Sequence, residues 1–149
     1  MGQQSEIESR GFTLLELIVT LLVVAVAAGL VAPAIGRSTE AVRARAEVAG
    51  FSATLRRARE HAITRRQQHT VVVNPVSRLQ TVMTGEEEVQ WTHALSARLT
   101  IEAATPDGLT VRFEPQGTSS GGEFRVTSGA VTYRVTVDAV TGRVRNHRE

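Results

Sequence analysis

The hydrophobic pattern divides the chain into a polar start, a long apolar run and a region of short alternating segments. From Leu17 to Ile35 the only polar side chain is that of Thr20. Taken as an α-helix, this run is ~28 Å long, close to the hydrocarbon thickness of a bilayer. The pattern therefore predicts a membrane-spanning helix.

After Pro33 the pattern changes from apolar on all sides to apolar on one face. Apolar residues recur there at steps of three and four, typical of an amphipathic helix: Ala41, Ala44, Val48, Phe51, Leu55, Ala58 and Ala62. The charged residues predicted on the opposite face are Arg43, Glu47, Arg56, Arg59, Glu60 and Arg66. We predict one helix from Phe12 to about Thr64, kinked at Pro33 because proline removes a backbone hydrogen bond.

From Gln68 onward the chain contains short segments rich in β-branched residues, separated by turn signals such as Asn74-Pro75. Several segments alternate apolar with polar residues, as half-buried strands do. The predicted strands are His69–Asn74, Leu79–Met83, Val89–Trp91, Leu99–Ala103, Leu109–Glu114, Glu123–Thr127, Val131–Asp138 and Arg143–Asn146. A long amino-terminal helix followed by these strands predicts an α+β fold with a carboxyl-terminal antiparallel β domain, in two small sheets or one strongly curved sheet.

Composition limits the chemistry that the chain can perform. The 149 residues include no cysteine, which excludes disulfides and thiolate metal sites. The four histidines have no metal-ligand spacing, so we expect neither a metal nor a cofactor. The net charge is only +2. This length corresponds to one domain with a modest core in addition to the apolar helix.

Glu16 is the unusual residue of the apolar region, because its carboxylate lies one turn from the start of the run. An unpaired charge in lipid costs roughly 2.5–3.5 kcal/mol, and such residues are usually functional. A plain membrane anchor does not explain Glu16. A secretory signal peptide has its cleavage site after the apolar core. We therefore expect Glu16 to need a cationic partner.

The order Gly11, Phe12 and, four residues later, Glu16, opening an apolar helix interrupted by Pro33, resembles the processing site and first helix of type IV pilins and type II secretion pseudopilins. The resemblance implies that a prepilin peptidase cuts between Gly11 and Phe12 and methylates the new amino terminus. Glu16 would then meet the terminal ammonium of a neighbouring subunit as subunits stack. The implied partners are other pseudopilins or pilins, the peptidase and an inner-membrane assembly platform.

The resemblance extends to the GspH/FimT domain of minor pseudopilins and minor pilins, carried by LRRAREHAITRRQ, a central Trp91, FEPQGTSSGG and VTVDAVTGRV. It implies a leader peptide (1–11), a transmembrane and filament-core helix (12–35), an amphipathic helix (36–66) and a β-rich domain (67–149). It also implies a single-pass protein of the bacterial inner membrane with its β domain in the periplasm. The arginines that follow the span would by themselves favour the opposite orientation.

Gly117 to Gly121 matches the G-x-S-x-G pattern of hydrolases, with Asp138 and His147 downstream in the order of a catalytic triad. That pattern is meaningful only on a turn from a parallel strand into a helix. Here a predicted strand follows and no βαβ alternation exists. We therefore predict a connection between antiparallel strands and no catalytic residue.

The carboxyl-terminal tail carries Arg143, Arg145 and Arg148. Strand periodicity puts Arg143 and Arg145 on one face, and Arg148 beyond the strand can join them to contact phosphates. The stretch resembles the G-R-x-R tail associated with DNA binding in FimT-type minor pilins. Charged residues that protect a sheet edge are the competing explanation.

The resemblance implies two alternative functions, and neither involves an enzyme or a small-molecule substrate. In the first, the protein is a minor pseudopilin, a structural subunit of the periplasmic pseudopilus of a type II protein secretion system. In the alternative, it is a FimT-like minor type IV pilin that binds DNA through its arginine tail for DNA uptake. We favour the first.

Overall fold

One long helix is followed by eight strands in the part of the chain that the structure describes. The structure is a computed structural model that describes residues 12–85, 88–104 and 108–149, and for residues 30–38 it describes the helical backbone alone. The helix is α1 (Leu14–Arg65). The strands are β1 (His69–Asn74), β2 (Leu79–Thr84), β3 (Glu88–Ala94), β4 (Leu99–Ala103), β5 (Thr110–Phe113), β6 (Gly122–Ser128), β7 (Val131–Val137) and β8 (Val144–Arg148). The predicted α+β, pilin-like fold is confirmed.

The chain divides into two compact units, one ending at Thr39 and the other running from Glu40 to Glu149. The helix ends where Arg66 adopts a left-handed φ of 52°. The amide of Gln67 then donates to the carbonyl of Ala62 at 3.3 Å, which satisfies a carbonyl that the last turn leaves open.

The strands form two antiparallel four-stranded sheets, with the orders β3-β2-β1-β5 and β4-β6-β7-β8. The chain changes sheet between β3 and β4, returns for β5 and leaves again for β6. Of the two predicted arrangements, two sheets is therefore the correct one. Strands β1 and β4 have the predicted bounds, whereas β8 begins one residue and ends two residues later than predicted.

The core of the second unit lies where the apolar face of α1 meets both sheets. Phe51 packs edge-on against Phe124 of β6, with ring centroids 5.3 Å apart and an interplanar angle of 73°. Phe113 of β5 is also fully buried in this core. Of the seven predicted apolar positions, Ala41 is half-buried and the other six are buried: Ala44, Val48, Phe51, Leu55, Ala58 and Ala62. The amphipathic helix is therefore confirmed.

Glu47 differs from its prediction on the exposed face of the helix, because it is half-buried. Its carboxylate accepts hydrogen bonds from Ser96 Oγ at 2.9 Å and from Ser128 Oγ. The period of three and four residues placed Glu47 beside solvent, but the β3–β4 connection and the end of β6 cover the helix there. The carboxylate thus joins α1 to the second sheet at the end of β6.

The predicted membrane span and kink fall partly outside the described side chains. Pro33 lies within residues 30–38, so the kink stays a prediction. Across the described residues, no helix combines the length and apolar character that crossing a bilayer requires.

We expect Phe124→Ala to lower the free energy of unfolding by about 3–5 kcal/mol, because it removes a buried ring and leaves a cavity under Phe51. Urea denaturation followed by the fluorescence of Trp91, the single tryptophan, measures this change. Val76→Ala is the matched control, because Val76 is 94% exposed and its loss should change stability by less than about 0.5 kcal/mol. Similar losses in the two variants would contradict the assigned core.

Candidate functional site

The first candidate site is the start of α1, where Thr13 caps the helix. The Glu16 amide donates to Thr13 Oγ1 at 3.2 Å, and Thr13 with Glu16 has the T-x-x-E spacing of a capping box. Glu16 lies in the first turn, where the helix dipole stabilises a negative charge. The Thr13 cap and the first turn therefore accommodate Glu16 locally, without a partner from another subunit. The sequence analysis missed this cap, although the T-x-x-E spacing was visible.

Around Glu16 the described helix surface is apolar and exposed. Phe12 is 80% exposed, and the leucines, isoleucine and valines from Leu14 to Val26 lie at 50% exposure or more. The Thr20 hydroxyl donates its hydrogen bond to the backbone carbonyl of Glu16, so Thr20 has no free side-chain donor. Glu16 is thus the one charged group in a surface suited to an apolar environment. Gly11, on the other side of the predicted junction, lies outside the described residues.

The second candidate site is the carboxyl-terminal tail. Strand β8 is an edge strand that pairs with β7, with Arg145 opposite Thr136 and Arg148 opposite Tyr133. Because side chains alternate along a strand, Arg145 and Arg148 lie on opposite faces. Arg143 precedes the strand with the same parity as Arg145. The structure thus groups Arg143 with Arg145. We had expected Arg148 beyond the strand, but it is the last residue of β8.

Three polar contacts join this tail to α1. The helix residues that make them are Ser52, Arg56 and Arg59, which are spaced by four and three residues. Ser52 Oγ donates to Asn146 Oδ1 at 2.7 Å, and a terminal nitrogen of Arg56 donates to the Val144 carbonyl at 3.4 Å. One turn further on, Arg59 Nε donates to the Thr141 carbonyl at 3.0 Å. These positions share one helix face. The free edge of β8 therefore runs beside the helix.

Between α1 and this edge is a groove of about 250 Å³, which we call the basic groove. The residues that line it are Arg56, Arg59, Glu60, Gly142, Arg143, Val144 and Arg145. The sequence analysis identified the tail arginines and missed the two from the helix. Their spacing indicates a shared helix face, but no pattern in the sequence shows which strand that face meets.

Gly142 makes this arrangement possible. Its φ is 63°, a left-handed conformation that glycine adopts without strain. A Cβ at Gly142 would collide with the carbonyl oxygen of Gly117 and come within 2.8 Å of Arg59 Nε. Arg59 Nε also donates to that Gly117 carbonyl, at 3.2 Å. The side chain of Arg59 therefore holds the two loops together at a point where only glycine fits.

The arginines of the second sheet fall into a paired group and an unpaired group. Arg125 and Arg134 form ion pairs with Glu102, Glu123 and Glu149, the shortest being Arg134 to Glu149 at 2.6 Å. The hydrogen bond from Arg134 lowers the pKa of the Glu149 carboxyl. In the part of the chain that the structure describes, the side chains of Arg143, Arg145 and Arg148 form no ion pair. These three charges remain available to a ligand.

Asp138 is the acidic group that most closely precedes the tail, and Thr141 donates two hydrogen bonds to its carboxylate. The Thr141 amide donates to Asp138 Oδ1 at 2.7 Å and the Thr141 hydroxyl donates at 2.8 Å. These bonds, with a smaller effect from Arg145, lower the pKa of Asp138. Asp138 therefore stabilises the β7–β8 turn as an ionised cap.

The G-x-S-x-G segment was predicted to connect two antiparallel strands, and it connects β5 to β6, which lie in different sheets. Ser119 Oγ donates to the backbone carbonyl of Asp138 at 2.9 Å. His147 lies in β8 opposite Arg134. Ser119 and Asp138 thus have other hydrogen-bond partners, and the segment supports the β7–β8 turn.

Two of the histidines pack around Trp91. The His61 ring lies 4.8 Å from the Trp91 ring, and Arg57 lies 4.9 Å above the same ring. Burial, followed by the charges of Arg65 and Arg57, lowers the pKa of His61. Among the described residues, no three side chains of histidine, aspartate or glutamate are arranged to hold a metal ion.

An exposed apolar helix with one charge near its start, followed by an antiparallel β domain, defines a pilin-like protein. A family model described as type II transport protein GspH matches residues 47–142, and a second, described as the prokaryotic N-terminal methylation motif, matches residues 8–32. The chain belongs to the GspH family of pseudopilins and minor pilins. Members of this class are structural proteins that assemble into filaments with other pilins.

Solved structures share the fold. The type IV minor pilin FimU of Pseudomonas aeruginosa is 15% identical, with a TM-score of 0.61 over 73% of this chain and 91% of that chain. The minor pseudopilin EpsH from the type 2 secretion system of Vibrio cholerae is 16% identical, with a TM-score of 0.54 over 73% of this chain and 96% of that chain. Among proteins with curated descriptions, none matches the chain.

We expect Gly142→Ala to lower the free energy of unfolding more than Gly85→Ala does. Both glycines have a φ near 65°, but a Cβ at Gly85 meets open space. Gly85→Ala therefore measures the backbone strain alone, roughly 1–2 kcal/mol. Gly142→Ala should cost about 1 kcal/mol more, because the Arg59 bonds are also disturbed. Equal losses in urea denaturation would show that the contact with Gly117 is unimportant.

Proposed function

We propose that the protein is a minor pseudopilin, a structural subunit of the periplasmic pseudopilus of a type II protein secretion system. The observation that carries this proposal is the position of Glu16 in the first turn of an exposed apolar helix, shortly after the predicted cleavage junction. The family match and the fold shared with EpsH, whose description names that secretion system, support it.

In this function, prepilin peptidase cuts between Gly11 and Phe12 and methylates the Phe12 amine. The new ammonium of a neighbouring subunit then pairs with Glu16 as the apolar helices stack. Pairing in an apolar environment is favourable only when each charge finds its partner, because an uncompensated buried charge is costly. Assembly therefore neutralises two groups that are each unfavourable alone.

Before assembly, the subunit resides in the bacterial inner membrane, with residues 12–35 as its single span and the β domain in the periplasm. The assembly platform delivers it to a filament of other pseudopilins. The apolar surface from Phe12 to Val26 supports this location, because its large side chains are exposed in the part of the chain that the structure describes. The protein performs no chemistry of its own in this function.

We expect Glu16→Gln and Glu16→Ala to reduce incorporation into the filament at least tenfold. Each leaves the neighbour's ammonium uncompensated, at a cost of about 3–5 kcal/mol. Incorporation is measured in cells by quantifying the subunit in sheared or cross-linked filaments. Glu16→Gln keeps the shape of the side chain and its place in the helix cap, so it isolates the charge.

Thr20→Val is the control, because it removes polarity from the same segment without changing charge, and it should incorporate normally. Mass analysis of the wild-type protein from cells should find N-methylated Phe12 at the amino terminus. Normal incorporation of Glu16→Gln would refute the charge pair. A peptide in which Gly11 remains joined to Phe12 would refute the processing step.

A second candidate function is that of a FimT-like minor type IV pilin that binds DNA for uptake. The observation that favours it is the contrast between the paired Arg125 and Arg134 and the unpaired tail arginines. If the tail arginines only protected a sheet edge, carboxylates could pair with them as they do on the neighbouring strands. Free guanidinium groups are suited to bidentate contacts with phosphates.

We expect the double variant Arg143→Ala, Arg145→Ala to weaken DNA binding and to lower the slope of log affinity against log salt by about 0.9 for each lost contact. The measurement uses the full chain in a non-ionic detergent and a short labelled duplex. Arg45→Ala, an exposed position on α1 that does not line the basic groove, should leave the slope unchanged. An unchanged slope in the double variant would exclude the tail as the binding site.

A further inference from the structure

Three side chains from one face of α1 hold the edge strand β3 against the helix. Arg57, His61 and Arg65 follow each other at intervals of four residues, so they share that face. The Arg57 guanidinium lies 4.9 Å from the centre of the Trp91 ring, and the centre of the His61 ring lies 4.8 Å from it. A terminal nitrogen of Arg65 donates to Gln90 Oε1 at 3.1 Å. We call these five residues the Trp91 cluster.

A β-bulge in β3 lets two adjacent strand residues contact the helix. Val82 lies opposite Trp91 and Met83 lies opposite Val89, so Gln90 is the extra residue on β3. In a regular strand, adjacent side chains point to opposite faces, and a bulge redirects one of them. Among the strands that the structure describes, β3 pairs with β2 alone. Its position over the helix therefore depends on side-chain contacts such as those of the Trp91 cluster.

His61 is the member of the cluster whose charge can change near neutral pH. Its Nδ1 atom is buried and has no hydrogen-bond partner in the part of the chain that the structure describes. His69, whose ring lies 6.0 Å away, contacts the Gln67 carbonyl through Nδ1 at 2.9 Å and the Thr84 hydroxyl through Nε2 at 3.1 Å. A buried polar atom without a partner costs more when its group is charged. The surroundings of His61 thus suit a neutral ring.

The charged groups around His61 disfavour its protonation as well. On α1, Arg57 and Arg65 lie one turn on either side of it, and Glu60 is the adjacent carboxylate. On β1, His69 is a second imidazole. Partial burial, followed by the charges of Arg65, Arg57 and His69, lowers the pKa of His61, and Glu60 opposes them with the smallest effect.

We propose that the Trp91 cluster is an acid-sensitive attachment, in which protonation of His61 separates Trp91 and Gln90 from α1 and loosens β3. The indole ring offers the new charge little compensation, because Arg57 already lies over it. Movement of β3 away from the helix lets water reach the imidazolium. This inference does not depend on either of the functions proposed above.

The sign of the pH dependence follows from the lowered pKa of His61 in the folded chain. The unfolded chain binds the proton more readily, so acid favours unfolding at this site. The stability that the site contributes is complete above pH ~6.5 and is lost as the pH falls from there through the lowered pKa.

Trp91 is the single tryptophan, so its fluorescence reports on the cluster directly. The test uses the full chain in a non-ionic detergent and lowers the pH from about 8 to about 5, the range in which imidazoles titrate. We expect the emission maximum to move reversibly to longer wavelength and quenching by acrylamide to increase, because the indole ring becomes accessible to water. The far-ultraviolet circular dichroism should stay unchanged, since the helix and both sheets remain folded.

His61→Gln removes the titrating group and should abolish both fluorescence changes. His61→Phe is a second variant that keeps an uncharged ring at this position, in case glutamine loosens the cluster at every pH. His93→Gln and His147→Gln are the controls, because both of these histidines are exposed. Each control should keep the wild-type transition.

Arg65→Gln and Arg65→Lys form a matched pair that tests the electrostatics. Both replace the guanidinium that donates to Gln90. Arg65→Gln also removes a neighbouring cation, so the fluorescence transition should move to higher pH than in Arg65→Lys, which keeps the charge. A purely structural role of His61 would not produce this difference.

A transition that persists in both His61 variants, or that disappears in His93→Gln, would overturn the inference. The same holds if neither the emission maximum nor the acrylamide quenching of the wild type changes with pH. A loss of intensity without these two changes would mean that His61 is protonated beside Trp91 while β3 stays in place, which also contradicts the inference.

Discussion

Burial of one face of α1 under both sheets is the constraint on which the second unit depends. Leu55 and Phe51 are fully buried on that face, and Phe51 contacts Phe124 edge to face. Neither small sheet could bury its inner face alone, because a single layer leaves apolar side chains in water. The helix thus contributes to the core of both sheets, between which the chain passes three times. The polar contacts of Glu47, Ser52 and Arg59 all lie at the borders of this core.

The position of the helix determines how charge is distributed on the protein. On the outer face of the second sheet, Arg125 and Arg134 are compensated by carboxylates. At the free edge of β8, the helix brings further arginines beside the tail, where Glu60 is the single carboxylate that lines the groove. Uncompensated charge in one place raises the local potential and attracts anions. The same packing that stabilises the fold therefore creates the basic groove.

At the other end of the chain, a single charge constrains the behaviour of the apolar helix. Glu16 is compatible with the helix itself, since the first turn and the Thr13 cap favour a carboxylate there. It is incompatible with an apolar environment unless a cation arrives. Association with a subunit that supplies a cation is therefore favourable for this helix. This separates folding, which is local, from assembly, which needs a partner.

The sequence alone determined the elements and the amino-terminal motif, because both depend on local spacing. The period of three and four residues identified the buried face of α1, and alternation located β1 and β4 at their observed bounds. Tertiary structure decided what depends on contacts between distant residues. The strand order brought β8 beside α1, which placed Arg56 and Arg59 next to the tail. The β3–β4 connection and the end of β6 covered Glu47. It also placed Arg148 inside β8, on the other face of the strand from Arg145. The bounds of an edge strand depend on its pairing with β7, and no local period encodes that pairing.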